Sequence, residues 1–287
     1  MHMRTMLRTL MDFFRRDARH AQIVLLAALL VHGLLNLHWS LQLPRYAVLI
    51  GSCLAMQAMA VRVLDLPLSG LKSAVITGLG LSLLLHVGTL GTAALAAVIA
   101  IGGKCVLRDR GKHVFNPGNL GIVLTIILSR DAWVSPGQWG SGALLLVLFG
   151  SLATMMLLRV GRADVAFTFL GSFGLLQFAR TVMYLGWGTD VFVHQMMNGS
   201  LLLFSFFMIT DPMTTPNAPR ARIVWGMLVA AVAFLLADRV RIQAAPIWAL
   251  FLVSMFTPVF DRLWRAARFQ WSPPVRNTQI NIDPITS

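Results

Sequence analysis

Lys112-His113-Val114-Phe115-Asn116-Pro117-Gly118-Asn119 runs directly into Leu120-Gly121-Ile122-Val123-Leu124-Thr125-Ile126-Ile127-Leu128. The first part is polar and built for a turn. The second is oily enough for a bilayer but short, since a spanning helix needs about 20 apolar residues. Asn116-Pro117 is a turn-initiating pair, Pro117 suits the first position of a helix over Gly118–Ser129, and Asn116 is its expected N-cap. A second string, Thr210-Asp211-Pro212-Met213-Thr214-Thr215-Pro216-Asn217, closes another apolar run. Non-helical polar backbone near membrane depth is tolerated only where protein or a water-filled cavity covers it. Two such strings predict a polar site, for a cofactor or an ion, inside an all-α integral membrane protein.

Composition agrees. The chain is 57% hydrophobic and 12% charged, where globular domains carry roughly 25% charged residues. Its 11 carboxylates are all Asp, and 24 Lys and Arg leave a net charge of +13. In a soluble protein that balance suggests nucleic acid. On this chain it reads as loops held against an anionic leaflet, with the lipid bilayer as partner and no nucleic acid. Cys53 and Cys105 fall in or at the end of apolar runs and form no CxxC or Cys/His cluster. They read as small buried thiols, not as an intrachain iron–sulfur centre.

Residues 1–20 form a basic amphipathic lead, with Leu7, Leu10, Met11 and Phe14 on one helix face and arginines around it. About ten apolar segments follow, near 21–41, 45–63, 71–87, 89–106, 117–129, 140–158, 164–186, 195–211, 222–237 and 242–260. Residues 21–262 are thus the membrane domain and 263–287 a tail. If all ten cross and the N-terminus is cytoplasmic, 19 Lys and Arg lie inside, four lie outside, and Arg180 lies within a span. That asymmetry predicts a multi-pass protein of a bacterial inner membrane with both termini cytoplasmic. Ten spans divide into two inverted sets of five, pairing the third segment with the eighth. Both are marked by Gly and Ser, over 73–82 and over 198–207, which permits close helix approach.

The strings supply the candidate site. Free amides at the Asn116 helix start, beside Lys112 and His113, favour an anion; the alternative is an ordinary capped re-entry. Asp211-Pro212 stops a helix, and Thr214 and Thr215 add hydroxyls; the alternative is a loop anchor. Both strings fall on the predicted cytoplasmic face. An intramembrane Arg180 holds a phosphate or a carboxylate, or pairs with an Asp of another helix. His32, His86 and His194 read as interfacial, and Trp133, Trp139, Trp187 and Trp264 as an aromatic belt.

Lys112–Gly121 is similar to the Phe-Asn-Pro segment of the NqrB/RnfD family, membrane subunits of the sodium-pumping NADH:quinone reductase and of the Rnf complex. Phe206-Phe207-Met208-Ile209-Thr210-Asp211-Pro212 resembles that family's late Phe-Phe-Met-x-Thr-Asp-Pro string, and Ser73–Leu85 its third helix. The order matches over Ser73 to Pro258, and the nearest flavour is the stand-alone members found near enediyne biosynthesis genes. The resemblance implies ten helices in two inverted halves, with an architecture like urea and ammonium transporters. It also implies a flavin esterified to the Thr of a Ser-Gly-Ala-Thr motif. Here Ser141-Gly142-Ala143 is followed by Leu144, so the acceptor hydroxyl is absent; Ser151-Leu152-Ala153-Thr154 is a weaker echo inside a span. No covalent FMN is expected, and a noncovalent flavin (FMN or riboflavin) is. The residues expected to bind it are Lys112, Asn116, Asn119, Arg180, Asn198, Thr210, Asp211, Thr214 and Thr215. No catalytic residue and no metal set stands out, and no GxGxxG follows a strand, so other membrane or soluble redox proteins must deliver electrons. The competing expectations are a cofactor-free channel or transporter on the same scaffold and a structural subunit of a redox complex.

Overall fold

The computed structural model describes residues 17–40, 42–139, 150 and 160–270. Nearly all of the expected segment 140–158, the Ser141–Leu144 and Ser151–Thr154 motifs, the lead before Asp17 and the tail from 271 lie outside them. The protein is mostly helical. Its first half carries α1 (Ala18–Leu35), α2 (Leu43–Val63), α3 (Gly70–Leu84), α4 (Leu90–Val106) and α5 (Pro117–Leu128). Its second half carries α6 (Ala163–Phe178), α7 (Thr189–Met196), α8 (Gly199–Leu203), α9 (Pro219–Asp238), α10 (Ala245–Ser254) and α11 (Thr257–Leu263). Two of these run on as π-helix, α6 over Ala179–Tyr184 and α8 over Phe204–Met208.

Among the described residues, four helices are long and apolar enough to cross a membrane: α1, α2, α6 with its extension, and α9. Two bent pairs, α7 with α8 at 49° and α10 with α11 at 50°, pass the same test together, each a broken span or a re-entrant loop. The segments 71–87, 89–106 and 117–129 form shorter apolar helices. With 12 residues, α5 is about 18 Å long against a hydrocarbon core of about 30 Å. Four to six helical spans among the described residues make this a multi-pass membrane protein.

Short helices leave backbone to be satisfied at depth, and the chain does so by pairing it. Just after α3, β1 (Leu85–Val87) lies antiparallel to β4 (Ala132–Val134), which follows α5; Leu85 faces Val134 and His86 faces Trp133. Leu85, Val87 and Val134 are buried. The extended segments that follow two short helices thus satisfy each other's backbone amides and carbonyls. A second pair, β2 (Arg108–Asp109) with β3 (Lys112–His113), closes the turn before α5.

Small residues set the helix spacing. Ala93, Ala96, Ala97 and Ala100 of α4 are fully buried. A Cβ on Gly121 of α5 would stand 2.9 Å from both Ala100 Cβ and the Ala96 carbonyl oxygen. One on Gly78 of α3 would stand 2.9 Å from Ile50 Cα. Backbones this close are the membrane substitute for a hydrophobic driving force.

Candidate functional site

The first string enters through the β2–β3 hairpin. Asn116 then sits in extended backbone, and its side chain accepts from Asn119 N at 3.0 Å, with Pro117 as the first helical residue. The expected cap is formed. The second string leaves a π-turn. Widening to an i→i−5 bond (Ile209 N to Phe204 O, 3.0 Å) frees neighbouring carbonyls. The Phe206 carbonyl takes the Thr210 hydroxyl at 2.7 Å. Asp211 then folds the chain: its Oδ1 accepts from Met213 N at 3.0 Å, and its carbonyl from Thr214 N and Thr215 N, each at 3.1 Å.

The two strings meet here. Asn116 Nδ2 donates to Asp211 Oδ2 and to the Met208 carbonyl, both at 3.3 Å. Lys112 Nζ donates to the Thr215 carbonyl and, at 2.6 Å, to Asp261 Oδ2 of α11. Arg162 Nε reaches Thr215 Oγ1 at 3.1 Å. Burial pushes the Asp211 carboxyl above the usual carboxylate range, against the Met213 amide and the charges of Lys104, Lys112 and Arg162. Burial pulls the Lys112 ammonium down, and Asp261 pulls it back up. Burial and the nearby Lys104 and Arg108 charges hold His113 at about 4.

Beside this junction lies a cavity of about 90 Å³. Its polar lining is Gln22 of α1, Ser73 and Thr77 of α3, and Asn116, Thr210 and Asp211 of the strings. Leu26, Ile76 and Phe207 supply apolar wall. Arg19 also lines it, held by Asp17 at 2.9 Å and donating to the Ser69 carbonyl at 3.0 Å. The sequence puts Arg19 in the lead; it belongs to α1, which Asp17 caps. Sequence reasoning missed Arg19, Gln22, Thr77, Arg162 and Asp261 as neighbours of the site. A buried polar residue on a helix looks like any other until packing turns it inward.

The remaining candidates divide. Lys112, Thr214 and Thr215 pack behind the junction. Asn119 is fully buried in α5, donating to the Ile247 carbonyl at 2.8 Å, and its Oδ1 has no partner among the described residues. Arg180 and Asn198 lie at the other end of the bundle. Arg180 takes the alternative the sequence offered, a pair with an Asp of another helix: Asp238 at 2.6 Å, with Tyr184 beneath it. Asn198 caps α8 through Ser200 N at 2.8 Å and lines a larger cavity of about 270 Å³. Gln177, Gln195 and Ser200 join it there against Phe173 and Phe204. Among the described residues no His/Cys/Asp cluster could hold a metal.

Residues 130–270 match the model of the NQR2, RnfD, RnfE family. The second string lies inside that stretch; the first string and α3, which also carried the resemblance, precede it. The RnfD component of an ion-translocating oxidoreductase complex from Aeromonas salmonicida (strain A449) is 30% identical over 96 residues. The alignment covers 32% of this chain and 27% of that relative's length.

Proposed function

We propose that this chain, which through residues 130–270 belongs to the NQR2, RnfD, RnfE family, is an inner-membrane electron-transfer subunit of an ion-translocating redox complex. The observation that carries the reading is the junction of the strings, where Asn116 bonds Asp211 beside a polar cavity walled by α1 and α3. A site assembled from three distant parts of a membrane chain is built to hold or pass something polar. The inverted architecture is part of the proposal. In the first half α2 packs on α4 and α4 on α5; in the second α6 packs on α9 and α9 on α10. The repeated order supports two halves of one plan; ten spans with both termini inside complete the proposal.

The resemblance implies a flavin, and the two cavities differ in their fit. A buried water needs about 10–15 Å³ of such space. The cavity at the strings, at about 90 Å³, therefore suits a few waters or one ion with part of its shell, not three fused rings. The cavity of about 270 Å³ at the other end fits better. Phe173 and Phe204 would face the rings, and Gln177, Gln195 and Asn198 would hydrogen-bond their polar edge. Asn198 is the one residue of the expected set that would touch them. A flavin held there supplies one- or two-electron transfer, and the chain supplies its position and shields it from water. Redox partners, soluble or membrane-bound, would bring electrons to it.

An absorbance spectrum of the purified protein, before and after acid precipitation, tests this. Yellow colour released to the supernatant supports a noncovalent flavin. Colour in the pellet refutes the noncovalent link. A colourless protein whose spectrum and melting temperature ignore added FMN and riboflavin sinks the flavin reading. A second reading, a cofactor-free ion or solute passage, is favoured by the small size of the string cavity. Flux into proteoliposomes that Asp211→Ala abolishes supports it, and tight vesicles count against it.

A further inference from the structure

At the same end as the strings lies another cavity, of about 150 Å³, whose purpose the redox reading leaves open. Its floor is fixed. Both oxygens of Asp261 are engaged, Oδ2 by Lys112 Nζ at 2.6 Å and Oδ1 by Asn217 N at 2.8 Å. Its walls carry four arginines: Arg110 from the β2–β3 turn, Arg262 in α11, and Arg265 and Arg268 just after it. Asp109 also lines the space and faces Arg262 at 3.6 Å. Among the described residues, Arg110, Arg265 and Arg268 have no carboxylate partner.

The turn is shaped to bring these charges together. Arg110 and Gly111 both take left-handed backbone, at φ 49° and 79°. A Cβ on Gly111 would stand 3.3 Å from Arg268 Nη1, so glycine at this position lets the guanidinium lie against the turn. Three uncompensated cations around one opening repel each other unless an anion joins them. A guanidinium fork matches phosphate oxygens two at a time. At about 10–15 Å³ for each water, the space holds a phosphate group with a few waters to spare. On the proposed topology this end faces the cytoplasmic leaflet, where anionic headgroups collect.

We propose that the cavity between the Arg110-Gly111 turn and the chain after α11 binds a phosphate group. An anionic phospholipid headgroup or a free phosphorylated small molecule can supply it. Arg110, Arg265 and Arg268 hold its oxygens, and the Lys112–Asp261 pair forms the floor.

Two titrations of the full chain in neutral detergent test this: phosphatidylglycerol followed by native mass spectrometry, and inorganic phosphate followed by calorimetry. Each is run on the wild type, on Arg265→Gln/Arg268→Gln, and on Arg239→Gln/Arg241→Gln, which removes equal charge at the other end. Lipid adducts that weaken about tenfold in the first variant and persist in the second assign a lipid headgroup. Phosphate binding lost in the first variant alone assigns the free anion. Equal weakening in both variants, or no binding of either probe by the wild type, overturns the site. The single variant Arg110→Gln, on the exposed turn, must also weaken whichever probe binds; unchanged binding overturns the proposal even if the double variant fails to fold.

Discussion

The cavities at the two ends of the α8 π-segment are built from opposite materials. At the string end, Lys112 is answered by Asp261, Arg222 by Asp164 at 2.6 Å, and Asp211 by Asn116 and the Met213 amide, while the uncompensated Arg110, Arg265 and Arg268 stand on the exposed rim of that end. At the other end the lining is amides, hydroxyls and phenyl rings, and the nearby Arg180–Asp238 pair is partly open, with Arg180 32% exposed. Buried ions are costly to strand and demand their partners; neutral amides tolerate an exchange of partner. The string end is therefore the rigid end, and the amide end is where the proposed flavin would sit.

The sharpest test of rigidity is Lys112. Lys112→Met would take away the cation paired with Asp261 and leave it the Asn217 amide alone, at a cost of about 3 kcal/mol. A large fall in melting temperature in detergent is expected. No change would mean that Asp261 finds water or another cation and that the junction is looser than its contacts indicate. The amide end should respond to volume, not charge. A Cβ on Gly199 would stand 2.6 Å from Trp139 Cβ, so Gly199→Ala should cost about 1–3 kcal/mol. If that cavity holds the flavin, the same change should alter flavin retention, which Lys112→Met should spare in whatever fraction stays folded.

Acid should separate the ends further. His113 is held at about 4 in the fold against 6.5 when free. Between those values the unfolded chain binds the extra proton, so stability is full above pH 6.5 and falls as pH drops toward 4. His113→Gln should flatten that part of the melting curve against pH. Asp211, held above its ordinary value, acts with the opposite sign and is common to both proteins, so the difference between the curves isolates His113. Parallel curves would place His113 in contact with water.

How much of this was legible in the sequence follows from how local each signal is. The Asn116 cap, Pro117 at the helix start and the stop at Asp211 depend on a few adjacent residues, and all three form. The shortness of α5 was legible too; its remedy, a strand pair joining Leu85 to Val134, was not, because it links segments about 50 residues apart. Span boundaries slipped for the same reason. The segment 242–260 is one apolar run but two helices, because Thr257-Pro258 starts a new helix where the first one ends. Gln22 and Thr77 carry no local mark, and only the packing of α1 on α3 turns them toward Asn116.

Arg180 gives the smallest expected effect and the clearest contrast with Lys112. Both are cations hydrogen-bonded to an aspartate at 2.6 Å, and distance alone would rank them equal. Burial separates them: the Lys112 side chain is 10% exposed and that of Arg180 32%. Water and headgroups can replace what an exposed arginine loses, and such pairs contribute little. Arg180→Gln should therefore leave the melting temperature within error of the wild type. It should also leave lipid and phosphate binding at the arginine pocket unchanged, since that pocket lies at the other end of the bundle. A loss of flavin without loss of stability would move Arg180 from a structural pair to the cofactor site, and would make the amide end the charged end when loaded.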